Sequence, residues 1–381
     1  MHLPATQSDV VIVGAGPAGL ACSIAAAREG LHVEVVDAAT PPIDKACGEG
    51  LFPGSIESLA ALGFDLDHEQ TESAVLRGVR FIGDSVPSLD FITVQAAFPA
   101  NPGRGIRRTA LHSLLLDRAS SLGVRFHWKN PIRSIATNKK TAVIHTNTQT
   151  LRARYLIGAD GHQSRVARLA GLTAGTVRSR RIGLRQHYAI APWSRFVEIY
   201  WSNHGQAYVT PVSDSEICVA FVARKKLGSP HQALRHFPAL ERHLVRAKPS
   251  GPPRSAITLG RSLHRVACGN IALIGDASGS VDAITGEGLA LGFRQAAALA
   301  PALQANNLAA YQQAHRRIQR LPTLMSRALL LMDRSPRVRN RAFNIFQRNP
   351  WLFARLLQIH IGHSSLHPIA GDNLLQPDCT C

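Results

Sequence analysis

Residues 11–19 read Val-Ile-Val-Gly-Ala-Gly-Pro-Ala-Gly, and Asp37 closes a second apolar run from Leu31 to Val36. The pattern predicts a short buried strand running into Gly14-x-Gly16-x-x-Gly19, which opens a small-residue helix from Ala18 to Arg28. Gly14 permits a tight turn. Gly16 lets backbone approach a pyrophosphate, and Gly19 lets the helix pack closely on the strand. The helix N-terminus favours phosphate charge. Asp37 follows Gly14 by 23 residues, where a carboxylate can accept hydrogen bonds from an adenosine ribose. Residues 9–37 thus read as a β-α-β unit that binds a dinucleotide.

The bulk composition fits a globular chain. Its 381 residues are 45% hydrophobic, and the length allows two or three lobes. No uninterrupted apolar stretch is long enough to span a bilayer. Residues 1–9 lack the charged and apolar regions of a signal peptide. A cytoplasmic location follows as an expectation. Of the six cysteines, Cys22, Cys47, Cys218 and Cys268 stand singly among apolar neighbours, which is neither a disulfide framework nor a zinc pattern. Cys379 and Cys381 lie in a tail expected to be flexible. Asp378 stands where a prenylation box needs cysteine.

The net charge of +18 is unevenly spread: residues 311–360 hold ten arginines and one acidic residue, Asp333. Either this is a solvated basic face, or it meets an anionic partner. An anionic membrane surface or an acidic carrier protein fits best. Nucleic acid fits least, because no zinc-finger or RNA-binding signature accompanies the charge.

Further along, helices are expected over 54–62, 109–122 and 288–303, and strands within 75–94, at 124–126, 132–136, 142–146 and 155–159. Residues 181–224 alternate in the strand manner and suggest a separate antiparallel sheet. Its candidates for a substrate face are His187, Tyr188, Glu198, Tyr200, Trp201 and Tyr208, with their directions left open. The chain then returns through a buried strand at 271–274. Residues 311–360 read as basic helices.

Two further motifs follow the first. One is Gly158-Ala-Asp160-Gly161-His-Gln-Ser164-Arg-Val166. The other is Gly275-Asp276-Ala277-Ser278-Gly279, continuing to Thr285-Gly286-Glu287-Gly288-Leu289. The three together resemble the flavoprotein superfamily of p-hydroxybenzoate hydroxylase, geranylgeranyl reductases and flavin-dependent halogenases, over roughly residues 9–310. The resemblance implies FAD as cofactor. It places Asp276 on the ribityl chain, Gly286, Gly288 and Leu289 at the isoalloxazine ring, and Ala18 and Asp160 near the pyrophosphate. It also places Arg108 on FAD, although a surface arginine at a helix start reads as well. The loop Ala46-Cys47-Gly48-Glu49-Gly50-Leu51 resembles the Cys-x-x-Gly loop of geranylgeranyl reductases, which lines the flavin. Cys47 is either a proton donor to the substrate or a small residue that fits the loop.

Two departures stand out. Reductases of this kind carry a Tyr-x-Trp-x-Phe-Pro segment where this chain has Gln206-Ala-Tyr208-Val-Thr-Pro211. The Trp-x-Trp-x-Ile-Pro segment of halogenases has no counterpart, which argues against halogenation.

The expected fold is α/β (α+β overall): a Rossmann-like FAD-binding domain with an inserted antiparallel-sheet substrate domain and a C-terminal helical segment. The FAD-binding domain is assigned to 8–75, 103–172 and 263–310, and the substrate domain to 76–102 and 173–262. Basic helices take 311–372 and the tail 373–381. The expected function is reduction of a double bond in an apolar, isoprenoid or lipid-like substrate, free or carrier-bound. The alternative is a monooxygenase acting on an aromatic or polyketide-like ring, and the third reading is a non-catalytic basic flavin-binding protein. No metal is expected. With no second glycine fingerprint, NAD(P)H or another electron donor would bind transiently. Contact with the inner face of the membrane would be peripheral.

Overall fold

The computed structural model describes residues 8–83, 92–138 and 140–361, so the expected tail and its two cysteines lie outside the described residues. Its first sheet grows from the opening motif. Strand Ser8–Val13 lies between Val33–Val36 and Thr150–Gly158, parallel to both, and Ile271–Leu273 continues the parallel set beyond Thr150–Gly158. Arg125–His127 adds a parallel strand outside Val33–Val36. The first strand is apolar and buried along nearly its whole length, as a strand covered on both faces must be. Parallel strands all end on the same edge, so Gly14, Asp37, Ala159 and Gly275 emerge side by side. That edge is where open parallel sheets bind ligands.

Packing behind this edge depends on residues without bulk. A Cβ on Gly19 would lie 1.9 Å from the Gly14 carbonyl oxygen. Gly14 itself adopts φ +109°, and a Cβ there would meet the Ala159 carbonyl at 2.4 Å. The first helix, Pro17–Arg28, packs against Gly288–Gln304 and Arg108–Ser121.

The second sheet has nine strands. From one edge they run Gly279–Ser280, Arg254–Leu263, Gly175–Ala189, Glu216–Ala223, Gly205–Pro211, Phe196–Trp201, Gly78–Gly83 and Ile92–Ala97, with Lys248–Pro249 as a side branch. The sheet is not wholly antiparallel, because Phe196–Trp201 pairs in parallel with Gly78–Gly83. A segment returning from 118 residues away is free to enter in either direction, and alternation within a strand does not report its partner. Gly279–Ser280, assigned from sequence to the nucleotide-binding part, pairs with Arg254–Leu263. The third motif therefore leaves the first sheet at Gly275, adds a short strand to the second and ends in the helix starting at Gly288.

Side-chain alternation divides the large sheet by face. Val197, Ile199 and Trp201 join Tyr208, Ala220 and Val222 on one face, and Tyr200, Val209, Val219 and Phe221 occupy the other. Leu234, Leu240 and Leu244, from two short helices, cover the second face. The first face is covered by Leu330, Met332, Phe343, Phe353 and Leu357 of the basic helical segment. That segment forms three helices, Leu308–Arg334, Pro336–Arg348 and Pro350–His360. Ser335 and Asn349 leave helical geometry because each precedes a proline. Ser335 also caps the second helix by accepting a hydrogen bond from the Val338 N–H.

The Arg181 guanidinium connects these parts. It is 2% exposed. Its Nε lies 2.9 Å from Asp282, in the third motif, and its Nη2 lies 2.8 Å from Asp333 on the long basic helix. Asp333 also accepts from Gln206 Nε2 at 2.7 Å. Burial pushes the Asp333 carboxyl up, but its hydrogen bond and charge pairing with Arg181 outweigh this and hold it below its ordinary value. Such a group stabilises the fold above the ordinary aspartate range, and the contribution is lost as pH falls through the depressed value. Asp333→Asn is expected to cost about 3 kcal/mol at neutral pH, as breaking a buried ion pair does. The gap should close in acid. Equal urea midpoints for variant and wild type at neutral pH would disprove the tether.

Candidate active site

The edge of the parallel sheet opens on a cavity of about 670 Å³. Gly14, Gly16, Ala18, Asp37, Cys47, Gly48, Gly50, Arg108, Asp160, Asp276, Gly286, Gly288 and Leu289 all line it. Of the residues singled out in the sequence for the cofactor, Gly19 alone stands back from the wall. Its lack of a side chain serves the helix–strand contact described above.

Several of these residues are shaped for a bound group. A Cβ on Gly16, Gly48 or Gly288 would meet no atom within 4 Å, so each leaves room in the cavity that a side chain would take. The helices starting at Pro17 and Gly288 have no side-chain cap and no acid in the first turn. Both N-termini therefore present free N–H groups, which favour negative charge. Arg108 lines the cavity, and its buried Nε has no hydrogen-bond partner among the described residues. Ala18 is held by two glycines: a Cβ on Gly275 would lie 2.8 Å from the Ala18 Cβ, and one on Gly292 3.1 Å from it.

The carboxylates have distinct duties. Asp37 accepts from the Ala15 N–H at 2.7 Å and the Ala39 N–H at 2.7 Å, one on each oxygen. It thereby ties the second strand's end to the glycine loop and keeps lone pairs for a ligand. His112 holds the same loop through Nε2, 2.9 Å from the Ala15 carbonyl. Asp160 lines the cavity and also orders its own loop. Its carboxylate accepts from Ser164 Oγ at 2.5 Å and from the N–H groups of Arg165 and Val166 at 2.7 and 3.2 Å. It organises the start of helix Arg165–Leu169, so the residue contributes to the cavity wall with its carboxylate already engaged. Asp276 stands exposed to the cavity on the turn Gly275–Ser278.

Cys47 is partly exposed, and its Sγ accepts from the Glu49 N–H at 3.4 Å. Glu49 was not anticipated as a site residue. It is 2% exposed and has φ +59°, a strained value for a residue with a side chain. Its carboxylate accepts from the Arg108 N–H at 3.1 Å and Arg185 Nη1 at 3.2 Å, and lies 2.6 Å from His187 Nε2. Arg185 Nη2 in turn donates to both carboxylate oxygens of Asp44, each at 2.8 Å. Burial raises the Asp44 carboxyl, yet Arg254 and Arg185 together bring it below its ordinary value. Glu49, His187 and Cys218 are close enough to share a metal ion. With a guanidinium already on the carboxylate, the group is an ion-pair network that pins the Cys47 loop to the large sheet. Arg185 and His187, two apart on one strand and so on one face, were the available signal.

Glu287, quoted in the third motif without a role, also lines the cavity. Burial pushes its carboxyl up, only partly opposed by His360 and Arg294. His360 Nδ1 lies 3.5 Å away, and the histidine's Nε2 is 2.9 Å from the Thr285 carbonyl. Of the candidates on the large sheet, Tyr208 reaches the cavity and donates its hydroxyl to the Ile284 carbonyl at 2.7 Å. Glu198 is paired with Arg80 at 2.7 Å, while Tyr188, Tyr200 and Trp201 are core.

A known FAD-binding-domain family matches residues 7–317. The chain belongs to that family. The cavity's free helix N-termini, unpartnered arginine and side-chain-free glycines fit FAD, and the protein is an FAD-dependent oxidoreductase. It is 28% identical to a menaquinone reductase of Mycolicibacterium smegmatis over 330 residues, covering 81% of this chain and 79% of the relative. A digeranylgeranylglycerophospholipid reductase of Methanopyrus kandleri is 26% identical, covering 74% and 76%. The ubiquinone hydroxylase UbiL of Rhodospirillum rubrum is 27% identical, covering 78% and 72%. Among solved structures, the flavin-dependent brominase Bmp2 superposes with a TM-score of 0.79 at 20% identity, over 94% of both chains. At that identity the likeness concerns the fold alone.

Two outcomes check this geometry. Gly16→Val is expected to weaken FAD binding roughly 10- to 100-fold, the equivalent of 1–3 kcal/mol of overlap, with the far-ultraviolet circular dichroism unchanged. Full flavin content in the purified variant would show that Gly16 does not border the cofactor. Glu287, with a raised native value, contributes stability below the ordinary glutamate range and loses it as pH rises through the raised value. Thermal midpoints of wild type and Glu287→Gln should therefore diverge with rising pH in the variant's favour. A pH-independent difference would count against a perturbed carboxyl.

Proposed function

We propose that this flavoprotein reduces a carbon–carbon double bond in an apolar, isoprenoid or lipid-like substrate. The observation that carries the reading is the wall supplied by the large sheet. Leu184, Val197, Ala220 and Val222 line the same cavity as Cys47 and Glu287, giving an apolar chain a surface beside groups that carry protons. Two relatives are named for menaquinone and for a digeranylgeranylglycerophospholipid, which supports a substrate of this class.

In this reading the helix starting at Pro17 faces the pyrophosphate, Asp37 the adenosine ribose, Asp276 the ribityl chain and Arg108 the cofactor's anionic part. The Gly286–Leu289 turn faces the isoalloxazine ring. When bound and reduced by a transient donor such as NAD(P)H, FAD supplies a hydride to one carbon of the double bond. The other carbon needs a proton. Cys47 Sγ is one donor in reach of the cavity, and the Glu287 carboxyl, kept protonated to higher pH by burial, is the other. Glu49, Arg185 and His187 hold the Cys47 loop in place, and the apolar wall excludes water.

A hydroxylase reading has its own support. UbiL is named a hydroxylase, and Gln206–Pro211 departs from the reductase segment, with Gln206 committed to Asp333 and Tyr208 to Ile284. The two reactions differ in atom balance. Incubation of the reduced holoprotein with an isoprenoid quinone, with and without labelled dioxygen, separates them by product mass. A gain of two hydrogens without oxygen, persisting after any quinol is reoxidised to the quinone, is the expected result, and incorporation of labelled oxygen would transfer the assignment to hydroxylation. Within the reductase reading, Cys47→Ser should slow turnover by roughly 10²–10⁴-fold if the thiol is the donor. Unaltered turnover removes it from the chemistry.

A further inference from the structure

The three C-terminal helices carry a surface that the flavin chemistry does not use. On Leu308–Arg334, the exposed residues Arg317, Arg320, Leu324, Arg327, Leu331 and Arg334 recur at spacings of three and four. That is one continuous stripe along a helix. On Pro336–Arg348 the exposed Val338, Arg341, Ile345 and Arg348 repeat the pattern, and Trp351 and Arg355 continue it on the last helix. Half of the ten exposed large apolar side chains among the described residues lie here: Leu324, Leu331, Val338, Ile345 and Trp351. Leu324, Leu331 and Trp351 are 59%, 56% and 68% exposed, so they project rather than cover neighbours.

The opposite faces of all three helices join one core cluster on the large sheet, through Leu330, Met332, Phe343, Phe353 and Leu357. The stripes therefore all face away from that sheet. Nine of the ten arginines in 311–360 are exposed, and the tenth, Arg339, is buried. Asp333, the sole acidic residue of the stretch, turns inward to Arg181. The outward surface of these helices thus carries positive charge and protruding apolar groups, with no carboxylate of its own.

We propose that this surface seats the protein on an anionic lipid bilayer, with the apolar side chains entering the interface and the arginines meeting phosphates. Arginines alternating with leucine, isoleucine and tryptophan at helical spacing suit a helix lying in the membrane plane. Long arginine side chains reach from such a position to the headgroups. A purely acidic protein partner would use the charge and leave the projecting apolar groups without a role. No helix among the described residues is long and apolar enough to cross a membrane, so the contact is lateral. The last helix ends at His360, which touches Thr285 and Glu287 of the cavity. Seating would therefore bring bilayer and cavity loop onto the same helical layer. The proposal does not depend on which reaction the flavin performs.

The test is co-sedimentation of the FAD-loaded full chain with phosphatidylglycerol–phosphatidylcholine vesicles and with phosphatidylcholine vesicles, at physiological ionic strength. Binding to the anionic vesicles alone is expected. The triple variant Leu324→Gln, Leu331→Gln, Trp351→Gln should bind roughly tenfold more weakly or worse, as should Arg320→Gln, Arg327→Gln, Arg334→Gln. Unchanged flavin content would show both variants folded. Failure of the wild type to sediment overturns the proposal. So does undiminished binding of the apolar variant, which would reduce the effect to charge alone. Retention by an acidic carrier protein or by DNA, with no vesicle binding, would reassign the surface to that partner.

Discussion

A single buried guanidinium connects three parts of this protein that the chain makes far apart. Arg181 belongs to the large sheet, Asp282 to the loop that leads into the cavity-lining turn Gly286–Leu289, and Asp333 to the long basic helix. A charge so deeply enclosed is tolerated only when its partners are fixed, so each partner is constrained by the other two. Asp282 also caps its own turn by accepting from the Ile284 N–H at 2.9 Å. The position of Gly286–Leu289 at the cavity is thus linked electrostatically to the helices that cover the same face of the large sheet.

Around that link the site divides its work between backbone and side chains. Glycines and free helix ends make the cofactor cradle. The carboxylates of Asp37 and Asp160 order the loops, and the large sheet supplies the apolar wall. The Glu49 network does for the Cys47 loop what Arg181 does for the third motif: it fastens a nucleotide-side loop to the large sheet by ion pairs with almost no exposure to water.

Much of this was legible from residues in a row. The opening strand, turn and helix, the Asp37 position and the helix starting at Gly288 depend on local sterics and apolar runs, which sequence reports directly. Residues 311–360 read as basic helices without their breaks, since Pro322 lies inside the long helix while the prolines at 336 and 350 each start a new one. What was not legible arises between distant segments. Nothing near Phe196–Trp201 announces a parallel neighbour at Gly78–Gly83. The motif places Asp160 near the cofactor, and only the fold shows that its carboxylate also holds the start of the next helix. Glu49, Arg185 and His187 were present in the sequence as isolated polar residues, and their burial together follows from the meeting of a loop and a strand 136 residues apart.

The order of the parallel strands has a consequence for biosynthesis. Ser8–Val13 has Thr150–Gly158 as one of its two neighbours, and the turn that closes the cavity follows at Gly286–Leu289. During synthesis the first strand therefore keeps an unfilled edge until residues through Gly158 have emerged. Contacts separated so widely in sequence form late and slowly. A cavity lined by residues from Val13 to Gln295 is accordingly complete only once that whole span has been made.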